Sequence, residues 1–311
     1  SESPRDPRGV RQSGSLQRRI GEHDAARKSL ERALLLKPDD PATLVELAAL
    51  ERGLGKFAEA QQRLNEAMNL VRTPQQRSAV LAGISELRSY RGDFRGSVSA
   101  YQERLAEEAK YQAPAVVLVG RLSLPARMAR MDPAAGAKEL ARLHAELQTP
   151  WDMYLPVADM QYYTEVEDVA RAEQAVTALE ALIAKQNFKV FSSLAHYARG
   201  RVQEIRGDCR GAIANYQESL KLEPLDAGTR AYVGRCYRKL GDRARSQAEL
   251  AQALRASPAS GFANLEMGLL MKESGDAPKA KAYLQRAMAT WQEASPNHKQ
   301  LQEARAALQA L

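Results

Sequence analysis

Glycines recur at a fixed interval in this chain, and that interval leaves little choice of fold. Gly21 and Gly55 are 34 residues apart, Gly207, Gly241 and Gly275 repeat the same step, and so do Pro224 and Pro258. A period of this length marks stacked helical or mixed units, each too small to bury its own apolar face, so that a core forms only between neighbours. Ala, Leu, Arg, Glu and Gln dominate the composition, and these side chains lose little rotamer freedom in a helix. Runs of Val, Ile and Thr suited to strands are nearly absent. The expected fold is all-α.

The periods share more than a glycine. Residues 227–260 carry Val233-Gly234, Tyr237, Gly241, Leu250, Ala253-Leu254 and Pro258, and residues 41–74 carry Leu47-Ala48, Gly55, Phe57, Ala60, Leu64 and Ala67-Met68. Residues 193–226 and 261–294 repeat the scheme through Gly200, Gly207, Tyr216 and Pro224, and through Gly268, Gly275, Leu284 and Ala287. This pattern resembles the tetratricopeptide repeat, and the resemblance implies a right-handed superhelical solenoid of antiparallel helix pairs closed by a C-terminal capping helix. In that register 1–6 is a disordered linker, and 7–111 holds N-terminal repeats at 7–40, 41–74 and 78–111. The segment 112–192 holds degenerate repeats at 119–152 and 153–186, and is a candidate hinge. C-terminal repeats follow at 193–226, 227–260 and 261–294, and 295–311 is the cap. The turn glycines are expected at positive φ; in the degenerate repeats Pro133 and Glu167 stand at that place. Gly9, Ser13, Gly14 and Ser15 predict a frayed first helix.

Forty-five basic residues against 38 acidic ones leave a net charge of +7 on a mixed surface. Two cysteines make no disulfide framework and no zinc spacing, and are expected as small apolar groups. No apolar run reaches membrane-spanning length. The opening SESPRDPRGVRQSGS reads as a linker, so the chain is expected to be cut from a larger, bacterial, cytoplasmic protein, with the periplasm as the alternative. No Gly-rich phosphate loop, nucleophile elbow or His-Glu-x-x-His helix occurs, the four histidines are scattered, and the acidic run EVED (165–168) reads as a solvated turn. No catalytic residue, metal site or cofactor is expected.

The resemblance implies that first helices line the concave face. Their inward positions give Arg11, Arg18, Arg52, Arg127, Arg130, Tyr154, Gln161, Tyr197, Arg201, Tyr232, Arg235, Arg238 and Lys272, opposed by Glu46, Glu86, Glu165, Glu204 and Glu266, and the groove residues proper are taken from Arg127 onward. A net basic, tyrosine-bearing groove suits a protein or peptide partner with an acidic or extended segment, because arginine contacts carboxylate at two points. Interrupting acids and the lack of a recognition motif disfavour nucleic acid. Trp151, Tyr162 and Tyr163 are candidate aromatic anchors, against a core role for the same cluster. The asparagines and lysines of the chaperone-binding subclass, and the asparagine ladder of the glycosyltransferase subclass, are missing from the matching positions. The ending GDAPKAKAYLQRAMATWQEASPNHKQLQEARAAL resembles repeat-array tails of bacterial signalling proteins. A regulatory or ligand-sensing module of a larger enzyme or transcription regulator is therefore the alternative to a peptide-binding scaffold, and a self-assembling repeat protein the second alternative.

Overall fold

The computed structural model describes residues 6–296 and 298–311. Of the expected linker only Asp6 is therefore described, and it caps the first helix through hydrogen bonds from the Arg8 and Gly9 amides; residues 1–5 lie outside the described residues. Helices come in antiparallel pairs: α1 (Pro7–Arg19) with α2 (His23–Leu36), α3 (Pro41–Gly53) with α4 (Phe57–Asn69), and α5 (Pro74–Arg91) with α6 (Phe94–Glu108). The next pair has a broken first member, α7 (Pro114–Gly120) and α8 (Leu124–Ala129), facing α9 (Pro133–Glu146). Then come α10 (Leu155–Glu165) with α11 (Val169–Gln186), α12 (Ser192–Ile205) with α13 (Cys209–Leu222), α14 (Ala227–Lys239) with α15 (Arg243–Ala256), and α16 (Gly261–Glu273) with α17 (Ala277–Thr290). A single helix, α18 (Lys299–Gln309), ends the chain. No strand occurs among the described residues.

One local device makes most of the turns. Gly92, Gly207, Gly241 and Gly275 all have φ between +79° and +88°, and each precedes an aspartate. Asp93, Asp208, Asp242 and Asp276 then accept the amide three residues on, at 2.8–3.1 Å, capping the second helix of the pair. Each such cap is worth ~1 kcal/mol. Glu167-Asp168 builds the same turn without glycine: Glu167 has φ +59° and Asp168 accepts from the Arg171 amide. Half of the acidic run EVED is thus explained by capping. Pro133 does not occupy a turn position; it is the first residue of α9, behind the Asp132 cap, where its missing N–H costs nothing.

The chain forms two compact units, the first comprising the residues through Tyr111 together with Leu250–Leu311, the second Gln112–Glu249. In the first unit the second helices bury one repeated stripe: Ala26, Leu30 and Ala33; Ala60, Leu64 and Ala67; Ala280, Leu284 and Ala287. The small residues let paired helices approach, and the leucine fills the gap between them. Gly14 belongs to this scheme. A Cβ there would lie 2.7 Å from Leu30 Cγ, so the glycine that suggested fraying is a packing residue, and α1 is a complete helix. The stripe also reaches α18, whose Leu301, Ala304 and Ala307 pack on Leu265, Leu284 and Trp291.

The first unit contains a second kind of contact, between parts of the chain far apart in sequence. C-terminal residues cover the turns of the first three pairs in succession. Arg255 lies on Gly21, Ala259 on Gly55 and Ala294 on Gly92. The Ala259 amide donates to the Gly53 carbonyl at 2.9 Å, Tyr90 Oη and Ser257 Oγ are 2.8 Å apart, and Arg91 pairs with Glu293 at 2.7 Å. Phe94 stacks on His298.

In the second unit one core runs from Leu122 to Val202 through the segment whose consensus is weakest, and it includes Leu143, Val157, Met160, Tyr162 and Leu179. The residues at 187–192 that interrupt the 34-residue step are absorbed by a 3-10 turn at Lys189–Phe191 ahead of α12, and a second 3-10 turn, Trp151–Tyr154, precedes α10.

Candidate functional site: a tyrosine and arginine face over a buried carboxylate

The slot filled by Leu30, Leu64 and Leu284 in the first unit is filled by Tyr216 in α13, which is fully buried. Gly200 on α12 makes room for it, since a Cβ there would sit 2.6 Å from the ring. A tyrosine in an apolar slot needs a partner for its hydroxyl, and Tyr216 donates to Glu204 Oε2 at 2.9 Å. Glu204 is itself only 4% exposed. Three cations meet it: Arg201 at 2.8 Å, Arg235 Nε at 3.2 Å and Lys239 at 3.1 Å. Burial pushes the Glu204 carboxyl up, but Arg201, Arg235, Lys239 and the Tyr216 hydroxyl outweigh it and hold the group below the ordinary range.

Above this centre the tyrosines form a shelf. Tyr197, Tyr216 and Tyr232 have ring centroids 5.8–6.0 Å apart, and the Arg201 guanidinium lies 4.5 Å over the Tyr232 ring. Burial keeps the Tyr197 and Tyr216 hydroxyls protonated, with pKa values raised well above the usual tyrosine range. Beneath the shelf, Cys209 and Cys236 are buried with Val233 and Ile213. Burial pushes the Cys236 thiol up, as Glu204 does, so the pair behaves as apolar filling.

The residues expected to line a basic groove are distributed as follows. Arg201 and Arg235 meet Glu204, Tyr232 lies under the Arg201 guanidinium, and Tyr197 packs against Tyr232 and Tyr216. Arg130, the residue that ends α8, pairs with Glu165 on α10 at 3.2 Å and has 41% of its side chain exposed. Arg127 bonds Ser123 within its own helix region. Gln161 and Arg238 are half-buried on α10 and α14. Lys272 belongs to the first unit and donates to the Ala307 carbonyl of α18. The opposing glutamates are engaged in a ladder: Arg18 with Glu46 and Arg52 with Glu86 in the first unit, Arg130 with Glu165 and Lys239 with Glu204 in the second, each joining the first helices of adjacent pairs. Much of the inward charge therefore stitches neighbouring repeats together.

The aromatic candidates also separate. Tyr162 is a core residue whose hydroxyl donates to the Pro133 carbonyl at 3.0 Å, and Tyr163 packs edge-on against it beneath Arg171. Trp151 remains 36% exposed. It stacks on Tyr154, which stacks in turn on Phe188 and meets Phe191 edge-on at 6.0 Å. Phe188 and Phe191 are not singled out by sequence reasoning, although they lie in the residues (187–192) that interrupt the repeat.

Comparison with known proteins adds the last observation: residues 12–40 match the tetratricopeptide repeat family model. That span begins inside α1 and ends at Asp40, the cap of the next pair, and the same helix-turn-helix geometry recurs along the chain. Residues 12–40 are a tetratricopeptide repeat. Solved structures of similar fold include that of the APC/C hetero-tetramer Cut9-Hcn1, at 17% identity and TM-score 0.48 over 93% of this chain and 52% of that one. The chain thus spans about half the length of that relative. A tetratricopeptide repeat protein from Parabacteroides merdae aligns over 97% of both chains at 15% identity and TM-score 0.39. The TPR2AB-domain:pHSP90 complex of yeast Sti1 aligns over 84% of this chain and 94% of that one, at 14% identity and TM-score 0.35. No curated protein sequence matches.

Tetratricopeptide repeats serve as protein-interaction scaffolds, stacked so that successive units present one extended surface. Among the described residues no helix is long and apolar enough to cross a membrane, and no group of three or more His, Cys, Asp or Glu side chains is placed to hold a metal ion.

Proposed function

We propose that this protein is a peptide-binding scaffold, and that the tyrosine and arginine face of the second unit receives an acidic segment of a partner protein. The observation that supports this most is the composition of the Glu204 centre. Arg201 and Lys239 alone outnumber the single buried carboxylate they touch, and 37% of the Lys239 side chain is exposed. Rigid tyrosines beside them offer contact area at low entropic cost. A carboxylate arriving on this face meets surplus positive charge in a partly dehydrated setting, where charge-assisted hydrogen bonds are strongest.

Charge reversal at Arg201 or Arg235 is a poor test, because it would place a second carboxylate beside Glu204 and damage the fold. Arg130→Gln/Lys239→Gln removes two positive charges and leaves Arg201 and Arg235 on Glu204. In fluorescence titrations of an acidic peptide at low salt, this variant is expected to bind about tenfold more weakly than the wild type, a loss of ~1.4 kcal/mol. Each substitution also removes one rung between neighbouring first helices, so stability should fall modestly, by ~1 kcal/mol or less per part-exposed pair. The affinities are compared at a temperature where both proteins are folded. Equal affinity in the two proteins would move the partner site elsewhere.

A further inference from the structure

The first helices of the second unit are not uniform along their length. At their starts lie apolar side chains: Trp151 and Tyr154 before α10, Phe188, Val190 and Phe191 before α12. Val190 is 81% exposed and Trp151 36%. Beside the Trp151–Tyr154 turn packs α7, with Val116 43% exposed. At the far ends lie the charges: Arg130 at the end of α8, Glu165 at the end of α10, Arg201 and Glu204 in the last turns of α12. The helical period places both ends on one face. Continued at ~100° per residue, Tyr154 falls in line with Gln161 and Glu165 along α10, and Phe191, Leu194 and Arg201 lie within roughly 80° of one another around α12.

We propose that the partner segment carries two determinants, a large apolar residue that seats on the Trp151–Tyr154–Phe188 cluster and an acidic residue that reaches Arg201 and Lys239. Phe191 and Arg201 are ten residues apart in one continuous run, so the two seats are separated by roughly 15 Å at 1.5 Å per helical residue. An extended peptide covers about 3.3 Å per residue, so the two determinants stand roughly four to five positions apart. This proposal rests on the peptide-binding reading above. It adds the apolar seat, the spacing and the direction: the apolar residue lies over the starts of the first helices, the acidic one over their ends. Exposed aromatics next to a cationic field select against segments that offer acidity alone.

The test uses capped peptides with one tryptophan, a Gly/Ser spacer of one, three, five or eight residues, and a Glu-Glu pair, measured by fluorescence anisotropy against the full chain at low salt. A spacer too short to span the two seats lets only one engage, whereas a sufficient one adds the second interaction within the same complex. Affinity is expected to rise about tenfold between the one-residue and five-residue spacers, and Trp151→Ala and Phe188→Ala are each expected to abolish that rise. Affinities that follow acidity and ignore spacer length overturn the two-seat proposal while leaving the acidic-peptide reading in place. A spacer effect that survives both substitutions overturns the assignment of the apolar seat. No binding by any of the peptides overturns both readings. If either variant fails to fold, the spacer series on the wild type still decides.

Discussion

Glu204→Ala is expected to lower the stability of the second unit by ~3 kcal/mol, read as a shift of the urea midpoint. Deleting one partner of a buried ion cluster leaves the others uncompensated, and such losses run at ~3–5 kcal/mol. Partial exposure of Arg235 and Lys239 places this case at the lower end. Tyr216, fully buried, also loses the acceptor of its hydroxyl. Glu204→Gln keeps an acceptor and should cost less. The same carboxyl sets a pH response. Its folded pKa lies below the ordinary glutamate value of 4.5, so its contribution is fully present above that value and is lost as the pH falls through the depressed folded value. The wild type should therefore lose stability below pH 4.5 more steeply than Glu204→Gln. Identical acid limbs for the two proteins would show that the cluster contributes nothing net.

Gly92→Ala and Gly241→Ala form the second expected contrast. Both glycines have positive φ, +87° and +79°, where any Cβ is strained by ~1 kcal/mol. A Cβ added at Gly241 would have nothing within 4 Å, whereas at Gly92 that atom would meet Ala294 Cβ at 2.4 Å and its Cα at 2.9 Å. Overpacking against backbone adds ~1–3 kcal/mol. Gly92→Ala should thus destabilise by ~3 kcal/mol and Gly241→Ala by ~1 kcal/mol. Equal effects in chemical denaturation would mean that the C-terminal segment yields freely around Gly92.

The turns and pairings are legible in the sequence because their causes are local. A Gly-Asp step is at once a left-handed turn and a helix cap, and the Ala, Leu, Ala stripe is a spacing visible in one dimension. Gly14 misleads because a helix-breaking propensity and a close approach leave the same letter in the sequence; only Leu30, sixteen residues on, distinguishes them. Pro133 misleads because constant spacing assigns it to the turn, whereas the turn there ends with the Asp132 cap. The inward cations stand at the expected helical positions, but what they touch is not written there. Arg52 with Glu86 and Arg130 with Glu165 are relations between repeats, fixed by how one pair stacks on the next. Phe188 and Phe191 escape notice because they lie outside the repeating register, and a periodic reading has nothing to say about insertions.

The covering of Gly21, Gly55 and Gly92 by residues 255–294 bears on how this chain is made. Ordinary repeat arrays can fold unit by unit, each new pair adding to the last, because every contact is between neighbours. Here the first three pairs are finished only by residues roughly two hundred positions downstream, and contacts of such separation are slow to form. During synthesis from the N-terminus those turns stay uncovered until residues 255–294 have left the ribosome. A nascent chain stalled before residue 250 therefore exposes three adjacent turns at once, the state in which it is most open to proteases and to chaperones.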